Sequence, residues 1–449
     1  MNNTPKRFIR LAAFMLALVL LVCLANTYLI QTDAISCVIM KEMLARDDIE
    51  LCFVGSSVVR DHFNPAIISE ITGLTAFNAA FPSASLQADI AVTEELFKKN
   101  DPQWTVLVVE PYNFNTAKEN PETEYMLMPH LTDWRVKLDY YLRLCKEDGF
   151  YLDRLLIFRD FFATSLADVA KAIGLRHNTE ATFKKVAEGM DPSTTYMGQG
   201  FLRNTPDYTV EDDVRRQMAR VEDPGYVYEL LEPSKEMLLE YKALCEEKGT
   251  NLLVVVFPNH TSHMLSEPEC LPYSRSLMNF CAQNDIPCYN FSLAKPELVP
   301  LLDEYYFDLY HMNGTGADLF SEAFARFFNL YAAGEDVSGL FYASDEEYLA
   351  SIDFIVNTWL FPAQEENAFL ADCNRGSLVQ PEYRFVLRRP DGTEELVRDY
   401  TPDGGITAEI PEGCDLRVYA RPQGNEEAEP VYYDYPTDYD AYYGKKLAE

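Results

Sequence analysis

The stretch Glu50-Leu51-Cys52-Phe53-Val54-Gly55-Ser56-Ser57 decides the fold. Leu51 to Val54 form an unbroken apolar run closed by a glycine, which reads as a short strand buried on both faces, as in a parallel sheet. The pattern repeats downstream. Pro65 to Thr72 places Ile67, Ile68 and Ile71 at helical spacing and stops at Gly73, and Thr75 to Asn78 is a second strand. Leu86 to Lys98 is an amphipathic helix closed by Asn100 and Pro102, and Thr105 to Val109 is a third buried strand ending at Glu110-Pro111. Strands alternating with helices at this spacing specify an α/β fold, a doubly wound parallel sheet with helices on both faces. The same rhythm returns as a helix from Ser234 to Lys248, a strand from Asn251 to Phe257 and a helix from Leu271 to Asn284. A strand from Pro287 to Phe291 and a last helix from Gly316 to Phe328 complete it.

Between these two blocks, residues 115–224 break the rhythm. Helical stretches are expected around Trp134 to Cys145 and Leu152 to Ala172, then irregular polar sequence from Asp191 to Asp223, as an insertion over the sheet. From about Val337 the texture changes again. Ser344 to Thr358 has helical character, whereas Tyr383 to Arg389 and Glu394 to Asp399 flank Pro390-Asp391-Gly392, a hairpin signal. Ile406 to Ile410 and Asp415 to Ala420 add two strand-like runs. The expected organisation is a cytoplasmic tail (1–10), a membrane segment (11–31), a stalk (32–48), the α/β domain (49–335), a small antiparallel β-rich domain (336–425) and a disordered acidic, Tyr-rich tail (426–449).

Lys6, Arg7 and Arg10 precede an uncharged apolar stretch from Leu11 to Ile30, long enough to cross a hydrocarbon core of about 30 Å as a helix. Basic residues before it and Asp33 after it orient the N-terminus inside and the rest of the chain outside. A cleaved signal peptide is the alternative, with Ala25 as its site. The net charge of −33 excludes nucleic acid as a partner, because phosphate contacts need clustered Lys and Arg. The ten cysteines show no C-x-x-C and no regular spacing, so no disulfide is assigned.

Ser56 and Ser57 end the first strand, at the edge where open α/β sheets bind ligands. A serine there is a nucleophile candidate, whose own N–H at a helix start can serve as an oxyanion donor, or simply a helix cap. The second piece is Phe307-Asp308-Leu309-Tyr310-His311-Met312-Asn313-Gly314-Thr315-Gly316. Nucleophilic serine needs an imidazole base, and the imidazole needs a carboxylate to hold its tautomer. Asp308 and His311 supply both on one loop. His62 is the rival base. His260 and His263, after the strand ending at Phe257, are candidates for lining the crevice and contacting substrate, and no third ligand accompanies them for a metal.

Together the two pieces resemble the SGNH/GDSL hydrolase superfamily. Gly55-Ser56-Ser57 is similar to its Gly-Asp-Ser block, with serine replacing the aspartate, and Asp308 to Gly316 is similar to its terminal block. The likeness covers roughly residues 50–330 and looks closest to the membrane-anchored bacterial branch that includes the D-alanyl-lipoteichoic acid protein and the alginate-type O-acetyltransferases. It implies a flavodoxin-like sheet, catalysis by Ser57, His311 and Asp308, and no cofactor or metal. It also implies oxyanion donors at Ser57, at Ala80 where the family has glycine, and at Asn113 in place of the usual Gly-x-Asn-Asp, with Glu110 beside the substrate. The implied activity is a cell-surface esterase or O-acyltransferase acting on an O-acetyl or D-alanyl ester of an extracellular polysaccharide or teichoic-acid-like polymer. A transferase of this kind needs a membrane protein to deliver acyl groups. The alternative is an inactive surface protein that keeps the fold to bind glycan or a protein partner.

Overall fold

A computed structural model describes residues 4–29, 35–116, 123, 127–148, 156, 158, 165–176, 178–205 and 227–440. Five parallel strands form the central sheet: β1 (Leu51–Gly55), β2 (Ala76–Ala80), β3 (Trp104–Val109), β6 (Asn251–Val256) and β7 (Cys288–Asn290). Their order is β2-β1-β3-β6-β7. The chain steps one way from β1 to β2 and the other way to β3, the flavodoxin-like arrangement in which a crevice opens at the carboxyl ends of the strands flanking the reversal. Gly55 and Val109 end the two flanking strands.

Side chains alternate across the sheet and sort into two cores. Cys52, Val54, Leu107, Val109, Val254 and Val256 face one cluster, with Leu238 and Tyr241 of the helix Glu232–Lys248 packed into it. Phe53, Val106, Val108, Leu253 and Val255 face the other, which holds Phe320, Phe324, Phe327 and Phe328 of the helix Gly314–Ala332. Burial of a phenylalanine contributes about 2 kcal/mol. Four of them outweigh the roughly 1 kcal/mol net of any single loop hydrogen bond, so this helix is what fixes the loop preceding it.

The first helix, Thr4–Tyr28, is exposed along almost its whole length, and its segment Lys6–Tyr28 is long and apolar enough to cross a membrane. The expected stalk is instead part of the domain. Ile35–Ala45 is helical, but Val38, Ile39, Met40 and Met43 are buried in the first core, because this segment is apolar on most of its circumference.

The stretch expected to be irregular after Asp191 contains an antiparallel hairpin, β4 (Thr194–Gly198) and β5 (Phe201–Asn204). Its turn extends the sheet edge, where the Asn78 N–H donates to Gln199 O at 2.9 Å. Gly200 has φ +79, and a Cβ there would lie 2.0 Å from Asn78 O, so only glycine permits this approach. Helices occupy Trp134–Asp148, Leu166–Arg176 and Thr179–Gly189. The expected helix from Leu152 lies largely outside the described residues.

Past the α/β domain the helix is shorter than expected, Asp345–Ser351, and Ile355 opens a strand. β8 (Ile355–Pro362), β9 (Ala368–Arg375) and β12 (Gly405–Thr407) form one antiparallel sheet. β10 (Pro381–Arg388), β11 (Glu394–Thr401), β13 (Asp415–Pro422) and β14 (Val431–Tyr435) form a second, also antiparallel. Trp359, Leu360, Phe369, Phe385, Leu416, Val418 and Tyr433 bury a common core between them. The expected disordered tail, residues 426–449, is corrected over its described part, and residues 441–449 lie outside the described residues. Tyr433 is fully buried, and β14 pairs with β13 from Val431 to Tyr435. None of the ten cysteines is joined in a disulfide.

Gly55 carries a tight backbone demand at the carboxyl end of β1. At φ +151, an added Cβ would lie 2.7 Å from Val108 O and 2.9 Å from Val59 Cγ2. Gly392, in the β10–β11 turn, has φ +83 and open space around it. Gly55→Ala should therefore destabilise the full-length chain by about 3 kcal/mol or more, and Gly392→Ala by about 1–2 kcal/mol. Urea unfolding followed by tryptophan fluorescence checks this, and equal midpoint shifts would contradict it.

Candidate active site

After Gly55 the chain turns into the helix Ser57–His62. Ser56 is its N-cap, with Oγ accepting the Val58 N–H at 3.4 Å and donating in turn to Glu110 Oε1 at the end of β3. The capping role thus falls to Ser56. Ser57 is left as the first helical residue, and its N–H has no intrahelical acceptor. At the other end of this helix, Asn78 Nδ2 donates to Val59 O and Phe63 O, at 3.2 and 2.8 Å, tying it to β2.

The second piece is built from a tight loop. Phe307 N–H donates to His311 O at 2.6 Å, Asn313 N–H donates to Tyr305 O at 3.0 Å, and Tyr306 pairs with Met312. Asn313 caps the following helix, its Oδ1 accepting the N–H groups of Thr315 and Gly316 at 3.1 Å. A Cβ on Gly316 would lie 2.1 Å from Tyr305 O. The Asp-x-x-His-x-Asn-x-x-Gly pattern is therefore largely a folding instruction, and it delivers His311 to the edge of the sheet.

There the two pieces meet. Ser57 Oγ lies 2.8 Å from His311 Nε2, and His311 Nδ1 lies 3.0 and 2.9 Å from the two oxygens of Asp308. Asp308 Oδ1 also accepts the backbone N–H groups of Tyr310 and His311, each at 2.8 Å. Burial opposes its charge, yet the hydrogen bond and charge of His311, with these two amides, hold its carboxyl at about 2. Burial likewise works against a charged His311, but the Asp308 hydrogen bond and the nearby carboxylates raise it above the ordinary histidine value. An ionised carboxylate on Nδ1 leaves Nε2 free to accept the serine proton.

His62, the rival base, does something else. It is fully buried and its Nε2–H donates to Tyr310 O at 2.9 Å, anchoring the loop that carries His311. Burial, and then the neighbouring His311, push it down to about 3, so it stays neutral.

A cavity of about 380 Å³ opens on Ser57 and His311. Glu110 and His263 line it, as does Tyr310. Burial raises the Glu110 carboxyl, against the Ser56 hydroxyl and His311. His260 is placed differently. It is fully buried behind the wall with Nδ1 2.8 Å from Asp303 Oδ1. Nδ1–H donates to this carboxylate at the shorter distance, so the same nitrogen cannot also accept the His263 N–H 3.2 Å away.

Of the three expected oxyanion donors, Ser57 lines the cavity, whereas Ala80 and Asn113 lie away from its wall. Ala80 is paired with Gly55 inside the sheet and fully buried. The Asn113 side chain is already engaged, Oδ1 accepting the Glu110 N–H of its own turn at 2.7 Å and Nδ2 donating to Ala84 O at 3.1 Å. Ser83, three residues after Ala80, does line the cavity, at φ +51, and its N–H has no partner among the described residues. Asn259 lines it too. Neither carries a sequence signal beyond lying just after a strand's carboxyl end. Among the described residues no cluster of three or more histidine, cysteine or acidic side chains could hold a metal.

No family model and no curated protein matches the chain. A solved structure of a protein assigned to the lipolytic G-D-S-L family from Desulfitobacterium hafniense DCB-2 is similar over 62% of this chain and 98% of its own, at 10% identity and a TM-score of 0.28.

The buried histidines make a direct prediction. His62 and His263 are both held at about 3, chiefly by burial, whereas an unfolded chain takes up protons on them near 6.5. Between those values the unfolded state binds more protons, so both histidines lower stability as pH falls. Ring-carbon NMR of the histidine-labelled chain should show His62 and His263 flat from pH 8 to pH 4, with His311 titrating above 6.5. A His62 midpoint near 6.5 would contradict the burial and the anchor.

Proposed function

We propose that this chain is a membrane-anchored serine esterase or O-acyltransferase acting through a Ser57 acyl-enzyme. The observation that carries the reading is the unbroken relay from Ser57 Oγ through His311 to Asp308, opening on a cavity. In the first half-reaction His311 Nε2 accepts the hydroxyl proton as Ser57 Oγ bonds to an ester carbonyl carbon. The carbonyl electron pair moves onto oxygen, where the N–H groups of Ser57 and Ser83 are the donors to meet it. Collapse of that intermediate breaks the carbon–oxygen ester bond, and the departing alcohol takes the proton from His311. Water or a sugar hydroxyl then repeats the sequence on the acyl-enzyme, giving hydrolysis or transfer. Each oxyanion donor is worth roughly a hundredfold or more in rate.

The location follows from the N-terminus. Lys6, Arg7 and Arg10 ahead of the apolar helix favour an N-terminus inside and the α/β domain outside the membrane. Esters within reach of such a domain are the O-acetyl or D-alanyl groups of an extracellular glycopolymer. Transfer, as opposed to hydrolysis, requires a separate membrane protein to supply acyl groups, because one helix cannot carry them across.

The full-length chain in detergent should hydrolyse p-nitrophenyl acetate, and Ser57→Ala should reduce kcat/KM by about a thousandfold or more. Ser56→Ala should leave most of the activity and cost about 1 kcal/mol of stability as a lost helix cap. Equal turnover by wild type and Ser57→Ala would remove Ser57 from the mechanism.

A further inference from the structure

The short helix that presents Ser57 carries a second acid towards the same imidazole. Asp61 follows Ser57 by four residues, which places both on one helix face. Its side chain is 4% exposed, and its Oδ2 lies 4.0 Å from His311 Nε2, the nitrogen that faces Ser57 Oγ. Asp308 approaches the opposite nitrogen and is far more exposed, at 37%. The imidazole therefore sits between two carboxylates, one on each nitrogen.

Arg60 holds Asp61 with its fork, Nε to Oδ1 at 2.7 Å and Nη2 to Oδ2 at 3.0 Å. A buried carboxylate is costly unless paired, and this two-point pairing orients Asp61. At 4.0 Å the carboxylate makes no hydrogen bond to His311, so the interaction is one of charge.

We infer that Asp61 is a positioning residue for His311, holding negative charge against Nε2 so that the imidazolium formed when Ser57 gives up its proton is stabilised. This rests on the acyl-transfer reading of Ser57 and His311. The other groups facing the ring are accounted for. Asp308 raises the basicity of His311 from its own loop, and Asp61 does so from the helix, while Arg60 opposes them more weakly. His62, on the same helix, is held neutral by burial. Glu110, from the end of β3, is pushed by burial towards its neutral form. Among the described residues, Asp61 is thus the carboxylate on the Ser57 side of the ring that an arginine pairs.

The test uses the full-length chain in detergent with carbon-13-labelled histidine. In a Ser57→Ala background, Asp61→Asn should lower the His311 midpoint by about one pH unit. With Ser57 intact, the acid limb of kcat/KM for p-nitrophenyl acetate should move down by the same amount and the plateau fall about tenfold. A purely structural role would lower activity without moving either midpoint. Arg60→Gln combined with Asp61→Asn removes both charges, leaves no unpaired buried cation, and should shift His311 in the same direction by less. An unmoved His311 midpoint in both variants overturns the inference. Absence of any hydrolysis by wild type, with the midpoint still moving, overturns the esterase reading and supports the charge coupling.

Discussion

A 2.8 Å hydrogen bond between Ser57 and His311 joins residues 254 apart in the chain, and most of the α/β architecture serves to make that distance possible. One partner stands at the end of a parallel strand, on a glycine that alone tolerates the turn. The other rides on a loop pinned from three directions: the Asn313 cap, the His62 bond to Tyr310 O, and the phenylalanine-packed helix behind it. The helix that presents Ser57 also anchors the His311 loop through His62. Both pieces are held by burial as well, so the meeting point is set before any substrate arrives, as the proposed acyl transfer requires.

The electrostatics follow the same economy of local placement. The chain is strongly acidic overall, yet the charges that matter at the relay are few and individually held. Asp308 is kept ionised by two amides and an imidazole, and Asp61 is gripped by its neighbouring arginine. His62 and Glu110 are pushed towards neutrality by burial. The sum of the surface charge says little about such a site, whereas the environment of each group says a good deal.

The parallel sheet was legible because Leu51–Val54, Thr105–Val109 and Asn251–Phe257 are apolar runs with no polar face, and because glycines and capping residues punctuate them. Ser57, Asp308 and His311 stood out because they lie at strand ends or in a polar loop. The donors around them did not. Ser83 and Asn259 reach the cavity through backbone trajectory, which residue type does not announce, and Ala80 and Asn113 were misplaced by assuming that trajectory. The helix Ile35–Ala45 was misjudged because its place directly after the apolar N-terminal helix suggested a stalk, whereas its largely apolar circumference buries it in the core. β8 and β9 escaped notice because buried Asn357, Thr358 and Asn374 interrupt the expected alternation.

The most direct measurement is peptide mapping by mass spectrometry of the full-length chain after reaction with a fluorophosphonate at neutral pH. The relay predicts one adduct, on Ser57, that disappears in His311→Ala while the protein remains folded. An adduct on Ser56, Ser83 or another serine, or labelling of Ser57 that is indifferent to His311, would contradict it.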